Sequence, residues 1–467
     1  MPARSTKSAP RLLSSGLAGL ALLVAFAPSS AMVPATAQAK AEATLALLAL
    51  TTLIMARLGW ARLRPAIPAP VLRHAALSHV AYKPTRAASP ALCLHPVVPL
   101  YREVPVHSWL GGAPQMPTDM PWPDLDGTPA LFLAQISCAH FPLALWGGRG
   151  PRDGWLLLFA SHSGAGRIAL RHTEKFGPER HSRDPQPFVR LHPERVDLLD
   201  RVRGGFTAPP RWPVMLNPIV STEDLPHTRT ARTAENTPEA TRLLGHGDPD
   251  APPLRPFDWT SAFLLLEAAR SDLRWQSQVI AGFNDRGEDI EAQHYLDHLG
   301  APLRQIETLR GELAQARDTG LCFNDTLGDL LLRGLAQISA PKFAANGETT
   351  QPLITLPQVR QGYSIALERY ARQLYCADPR ALPEPQKPLF EEHWAWHALH
   401  ERGTIGGASP DAAIPAEDTV EILRLPSSAL LGWAFGPGGE GTLAISITPE
   451  ALETGDFSQA TGKIIAP

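Results

Sequence analysis

Cysteine is scarce in this sequence of 467 residues. The four cysteines lie far apart, at Cys93, Cys138, Cys322 and Cys376. No two of them form a C-x-x-C pair, so neither a zinc knuckle nor a disulfide framework is indicated. Their spacing is typical of ordinary thiols in a protein of a reducing compartment.

Net charge is also small, at -3 at pH 7. A protein whose main partner is nucleic acid needs a basic face that neutralises phosphates. The arginines between residues 167 and 203 are interleaved with aspartates and glutamates, a pattern that indicates a solvated mixed surface. We therefore expect no nucleic-acid partner.

Several catalytic motifs are missing as well. The sequence has no G-x-x-x-x-G-K-[ST], no G-x-S-x-G and no H-E-x-x-H, which excludes the P-loop, the nucleophile elbow and the metalloprotease helix. Residues 436–441 match G-x-G-x-x-G formally. Because a predicted strand follows them where the dinucleotide fingerprint requires a helix, we interpret them as a hairpin turn. No cofactor is expected.

The N-terminal region is apolar. A basic start precedes an apolar run at residues 12–27, and a second run occupies residues 43–56. Arginines follow the second run directly, and by the positive-inside bias they hold the rest of the chain in the cytoplasm. These arginines are Arg57, Arg62 and Arg64. We expect residues 1–64 to anchor the protein to the cell membrane.

Three interpretations of the two runs remain open. Both runs could span as a hairpin, the first could be a cleaved signal peptide, or translation could start at Met32. A fourth alternative makes residues 43–60 a core helix. A reporter fused after Arg64 and active only in the periplasm would contradict a body that faces the cytoplasm.

Proline is abundant, with 47 residues, about twice the usual share. Residues 65–100 predict a Pro-rich linker. The stretch 108–136, SWLGGAPQMPTDMPWPDLDGTPALFLAQI, predicts a rigid loop, because proline fixes φ and glycine permits positive φ. Its end, residues 130–136, predicts a buried strand. The residues that define this element are Gly111, Gly112, Pro114, Trp122, Pro123 and Gln135.

This stretch resembles the YwqG-like family, bacterial proteins of unknown function with a similar Gly-Gly-x-Pro loop, Trp-Pro and Phe-Leu-Ala-Gln strand. Near the C-terminus, GEGTLAISITPEALETGDFSQ is similar to the family's closing strand and short acidic helix, although Ala444 and Ser446 stand where bulkier groups are usual. The resemblance covers roughly residues 105–172 and 400–460. By analogy with defence and toxin-immunity neighbourhoods, it implies a protein partner.

The rest of the body predicts more strands and a helical insertion. Residues 155–160 predict a buried strand and residues 167–172 a half-exposed one. Between about 260 and 400, apolar residues recur at helical spacing, with Pro302 and Gly320 as start and stop signals of one helix. We predict an α+β fold, an antiparallel-sheet YwqG-like body at residues 101–467 with this insertion. Residues 405–410 echo residues 110–114, which fits an internal repeat.

Two histidine pairs are the candidates for metal binding. His393 and His397, and separately His294 and His298, are spaced i, i+4 on predicted helices and so face one side. If the two helices met, the pairs could complete a four-ligand site. Ordinary interface or surface histidines are the competing interpretation, which we prefer, so no metal site is assigned.

The opening loop also offers carboxylates and an amide. Asp119, Asp124 and Asp126 could act as general acid or base groups, but aspartate beside proline and glycine usually stabilises a turn. Gln135 on a buried strand must find partners for its amide. We interpret it as a group that ties down a loop rather than one that binds a ligand.

The sequence favours a membrane-tethered cytoplasmic module that binds a protein partner without catalysis. The small-molecule ligand, if there is one, is not identified by any motif. The alternatives are a metal-dependent enzyme that uses the paired histidines and a structural envelope-associated protein. Elemental analysis separates the enzyme from the other two.

Overall fold

A computed structural model describes most of the body of the protein. The residues described are 90–101, 106–162, 166–183, 198–204, 209–219, 254–284, 291–342, 349–406, 418–436 and 439–466, all within one compact unit, Pro84–Pro467. No helix among these residues combines the length and the apolar character that a membrane span requires. The apolar runs at 12–27 and 43–56 lie outside the described residues.

A ten-stranded antiparallel sheet forms the centre of the described fold. Its strands are β1 (Ala91–Pro96), β2 (Trp109–Leu110), β5 (Leu131–Ser137), β6 (Trp155–Ala160), β7 (Ile168–Thr173), β8 (Trp212–Ile219), β11 (Gly403–Ile405), β12 (Val420–Pro426), β13 (Thr442–Ile447) and β14 (Thr461–Ile465). Two small hairpins accompany it, β3 (Asp124–Leu125) with β4 (Thr128–Pro129), and β9 (Ser339–Lys342) with β10 (Thr349–Pro352). The strand order is β14-β13-β12-β11-β1-β8-β2-β5-β6-β7. The predicted large antiparallel sheet is confirmed.

The sheet consists of two four-stranded repeats on either side of a central pair of strands. The first repeat, β2-β5-β6-β7, extends outwards from β8, and the second repeat, β11-β12-β13-β14, extends outwards from β1. In both repeats a bulge interrupts the second strand at the equivalent residue, Leu133 in one and Ile422 in the other. This arrangement agrees with the internal repeat that the sequence echo indicated.

The echoed glycines have the same function in both repeats. Gly111 donates its backbone N–H to the carbonyl of the bulged Leu133 at 2.8 Å, and Gly406 donates to Ile422 at 3.0 Å. Each glycine ends the first strand of its repeat with a positive φ, +65° for Gly111 and +68° for Gly406. The rest of the echo in the second repeat, residues 407–410, lies outside the described residues.

The two central strands are those that sequence patterns missed. β1 lies inside the segment expected to be a linker, residues 65–100. β8 contains Pro213 and Pro218, yet it pairs with β1 on one side and β2 on the other. Proline lacks an N–H and is normally confined to edge strands. Here the Pro213 carbonyl still accepts from the N–H of Val97 at 2.9 Å. The strand is therefore hydrogen-bonded to its neighbour at the proline as well.

Helices fill most of the segment between β8 and β11. They are α2 (Trp259–Asn284), α3 (Glu291–Asp318), α4 (Asp325–Gln337), α5 (Pro357–Ala377) and α6 (Lys387–His400), preceded by α1 (Leu198–Arg203) and followed after β13 by α7 (Pro449–Thr454). The prediction that Pro302 starts a helix was wrong, because it lies inside α3. An interior proline costs about 3 kcal/mol. The helix tolerates it: α3 packs against α2, and Leu299 and Ile306 on either side of the proline are buried.

Two hydrophobic cores lie on the two faces of the sheet. The larger core joins one face to the helices, where the ring of Trp212 on β8 meets Trp394 on α6 at 5.8 Å between centroids. The smaller core lies on the other face of the first repeat, which we call the outer face. Its members are Trp109, Met116, Ala130, Phe132, Leu157 and Phe159. The loop at residues 113–123, the covering loop, supplies Met116, which is fully buried.

The two edge strands of the sheet approach each other. A Cβ atom at Gly462 of β14 would lie only 2.2 Å from the carbonyl oxygen of Gly166, and it would also contact Ile168 of β7. Only glycine permits so close an approach of the two backbones. The sheet therefore curls until its first and second repeats meet at their outer strands.

Candidate functional site

The opening loop is held by its own polar groups. The buried amide of Gln135 accepts from the backbone N–H of Gln115 at 2.8 Å and donates to its carbonyl at 3.3 Å. The indole of Trp122 donates to the Ala130 carbonyl at 2.9 Å and packs edge-on against Phe159. Gln135 thus has both its hydrogen-bonding groups occupied by the covering loop, which it fixes to β5.

The three aspartates of this stretch do not converge on one point. Asp119 and Asp124 are exposed. Asp126 has a positive φ of +61°, accepts from the Ser161 hydroxyl at 2.7 Å and pairs with Arg167. The Asp126 carboxylate therefore stabilises the turn through these two neighbours. It does not form an acid–base pair with another carboxylate.

The histidines of the two candidate pairs lie in different environments. His393 and His397 are buried on α6, with ring centroids 4.5 Å apart, whereas His298 on α3 is exposed. The side chain of His294 lies outside the described residues. Across the described part of the chain, no group of three or more histidines, cysteines and acidic residues is placed to hold a metal ion.

A buried charged cluster surrounds these histidines, and no sequence pattern predicted it. Arg372 on α5 pairs with Glu368 at 3.4 Å and donates to the carbonyls of Ala429, at 2.6 Å, and Leu430. Glu368 in turn accepts from the indole of Trp394 at 2.5 Å. The guanidinium therefore holds the loop after β12 by two of its carbonyl groups.

Glu401, which follows α6, holds the same loop by accepting hydrogen bonds from the loop's donor groups. Its carboxylate accepts from His397 Nδ1 at 2.6 Å, from the Ser428 hydroxyl at 2.7 Å and from the Leu430 N–H at 3.2 Å. Burial acts to raise the pKa of Glu401. The nearby His397 and these three hydrogen bonds outweigh burial and bring the pKa below its ordinary value of 4.5. The carboxylate is therefore charged at neutral pH.

The order of these groups excludes a serine nucleophile of the triad type. In that arrangement the serine donates to a histidine, which takes its proton. Here Ser428 donates to Glu401 and not to His397. Burial, the nearby His397 and Arg372 lower the pKa of His393 to about 2, so this ring is neutral, and its Nδ1 has no hydrogen-bond partner in the described fold.

The buried thiols are not activated. Burial raises the pKa of Cys138 to about 12 and raises those of Cys93 and Cys376 as well. A catalytic cysteine requires the opposite shift, because the thiolate is the nucleophile. These three residues are therefore poor candidates for thiol chemistry.

A family comparison adds one finding. Residues 108–244 match the model of a domain of unknown function, described as "Domain of unknown function (DUF1963)". No curated protein matches the chain. The matched segment contains the opening loop, the whole first repeat and β8, and it supports an uncharacterised domain family. The YwqG-like resemblance stays a prediction.

Proposed function

We propose that the chain is a membrane-anchored module, with its body in the cytoplasm, that binds a protein partner through the outer face of the first repeat and catalyses no reaction. The proposal keeps the anchor at residues 1–64 from the sequence, since that region lies outside the described residues. The observation that carries the binding role is an aromatic surface beside the covering loop.

This aromatic surface extends the smaller core outwards to solvent. Phe176 is 50% exposed, and its ring lies 4.8 Å from that of Trp155. Partly buried apolar side chains surround the same core: Val106, Met120, Trp122, Leu125, Trp155 and Ala169. Aromatic residues and methionine are enriched in protein interfaces, where a few large side chains carry most of the binding energy.

The absence of catalysis rests on how the reactive groups are used. Gln135 and Asp126 hold turns and loops, and Glu401 is buried and accepts from three donors of the fold. A general base must reach a substrate proton with a free lone pair. These groups already serve the fold, which supports a binding role for the surface.

Capture of the partner tests the proposal. We expect a cross-linked pull-down of the full-length protein from native membranes to recover one protein in near-equal amount. Phe176→Asp should reduce the recovery about tenfold or more, because a charge then replaces an apolar contact at the interface. Quantitative mass spectrometry measures the recovery.

The matched control is Leu321→Asp, because Leu321 is exposed to almost the same degree, 49%, but follows α3 at another place on the surface. Its recovery should equal that of the unchanged protein. A pull-down without a stoichiometric partner would contradict the proposed function. If Phe176→Asp recovered as much partner as the unchanged protein, the interface would not include this aromatic surface.

A further inference from the structure

The outer face of the second repeat differs chemically from that of the first. Thr404 pairs with Arg424 across the strands as Trp109 pairs with Gln135, so Thr404 occupies the place of Trp109. The same register relates the next strand of each repeat. At the positions where the first repeat has large apolar residues, the second repeat has small or polar ones: Glu421 is equivalent to Phe132, Ala444 to Leu157 and Ser446 to Phe159. Among the described residues of the second repeat, the smaller core has no apolar equivalent.

An arginine lies on this face at the end of the central strands. Arg402 directly precedes β11 and interacts electrostatically with Cys93 and His95 of β1. Cys93 is the cross-strand neighbour of Thr404. The Arg402 guanidinium donates to the Leu399 carbonyl at 2.7 Å and to the Cys93 thiol. Among the described carboxylates none forms an ion pair with it. Its positive charge is therefore available to a ligand.

The second arginine of the face is already neutralised. Arg424 donates twice to the Glu421 carboxylate, at 3.1 and 2.8 Å, in the bidentate geometry that suits a guanidinium. This ion pair makes its part of the outer face polar but neutral overall. Arg402, unlike Arg424, has no carboxylate partner within the described fold.

An unpartnered hydroxyl lies two residues along the chain from the arginine. Thr404 is only 3% exposed, and its Oγ1 has no hydrogen-bond partner among the described residues. Leaving such a group unsatisfied is unfavourable, because its lost hydration is not replaced. A buried hydroxyl beside an arginine is a donor pair that an oxyanion satisfies.

His95 completes the set of groups around Arg402. It lies two residues beyond Cys93, on the same side of β1. Burial and the charge of Arg402 lower its pKa from the ordinary value of 6.5. The ring is therefore neutral at pH 7, and a neutral imidazole keeps one N–H donor for a ligand.

We propose that Arg402, Thr404 and His95 form a binding site for a small oxyanion group, a carboxylate or a phosphate, on the outer face of the second repeat. Arg402 supplies the charge and a forked pair of donors. Thr404 adds a neutral donor that is otherwise unused. The site is independent of the proposed protein partner, which contacts the first repeat.

Calorimetric titration of the full-length protein tests this site, with inorganic phosphate and succinate as separate probes at pH 7. We expect saturable binding of at least one probe. Arg402→Gln and Thr404→Val should each weaken it about tenfold or more, since each removes a donor to a charged ligand. Phosphate alone would identify a phosphoryl ligand, and succinate alone a carboxylate ligand.

The matched control is Arg171→Gln, which removes a positive charge from the outer face of the first repeat, where Arg171 pairs with Leu157. It should leave the affinity unchanged. Thr404→Val preserves side-chain shape and charge, so it keeps the test valid if Arg402→Gln fails to fold. No binding of either probe, or equal binding by Thr404→Val, would overturn the proposal.

Discussion

Glu401→Ala is expected to lower the free energy of unfolding by about 3–5 kcal/mol, the range for removal of one partner from a buried charged network. The substitution leaves His397, Ser428 and Leu430 without their acceptor. It also removes the buried negative charge that lies across the loop from Arg372. Urea denaturation followed by tryptophan fluorescence measures the change.

Two further variants make this result specific. Glu384→Ala is the control, because Glu384 is 82% exposed and its one ion pair among the described residues is with Lys387. Exposed pairs contribute about 0–1 kcal/mol. Glu401→Gln retains one oxygen acceptor and should fall between the two alanine variants. A Glu401→Ala protein as stable as the control would show that the cluster does not hold the loop.

The same carboxylate makes stability depend on pH. Its pKa in the folded protein lies below the ordinary 4.5, so the unfolded chain takes up a proton first as the pH falls. The contribution of Glu401 is fully present above about pH 4.5 and is lost as the pH falls towards the folded-state pKa. Glu401→Gln should show a shallower loss of stability below pH 4.5 than the unchanged protein. An equal slope would contradict the assigned charge.

Gly111→Ala is expected to destabilise the protein by about 3 kcal/mol, from a left-handed backbone and a steric overlap together. Gly111 has φ of +65°, and an added Cβ would lie 2.5 Å from the Pro210 carbonyl oxygen. The overlap is with backbone, so no side-chain rotation relieves it. The free energy of unfolding measured in urea gives the size of the effect.

Gly127→Ala separates the two causes. Gly127 has φ of +76° in the hairpin turn of the same stretch, but an added Cβ there would have nothing within 4 Å. It should cost only the backbone term, about 1–2 kcal/mol. Equal losses of stability in the two variants would mean that the overlap of the added Cβ with Pro210 does not destabilise the protein.

Local patterns predicted the parts of the fold that local physics decides. The apolar runs at residues 130–136 and 155–160 became β5 and β6, because a continuous apolar run bounded by turns suits a buried strand. The side chain of Thr448 caps α7, and Gly455 ends the helix with a φ of +73°, which glycine adopts without strain. The short glycine echo agrees with the repeat, because Gly111 and Gly406 each donate to the bulged residue of their own repeat.

The missed features depend on partners far along the chain. The sequence of β8 contains two prolines and predicts a loop. The segment forms a strand because it pairs with β1 and β2, which no local pattern indicates. The cluster of Arg372 and Glu401 joins groups that a helical sequence pattern presents as ordinary surface charge. Burial of such charges is decided by the loop after β12, which no spacing rule connects to α5 or α6. The candidate oxyanion site likewise emerges only from the register between strands.

The central position of β1 affects how the protein is made. This strand pairs with β8 on one side, but its other neighbour is β11, so Leu92 lies beside Ile405. During synthesis, one edge of β1 stays open until the segment that contains β11 has left the ribosome. Open strand edges recruit foreign strands, and such distant pairings form slowly. We expect the nascent chain to depend on chaperones and C-terminal truncations to aggregate.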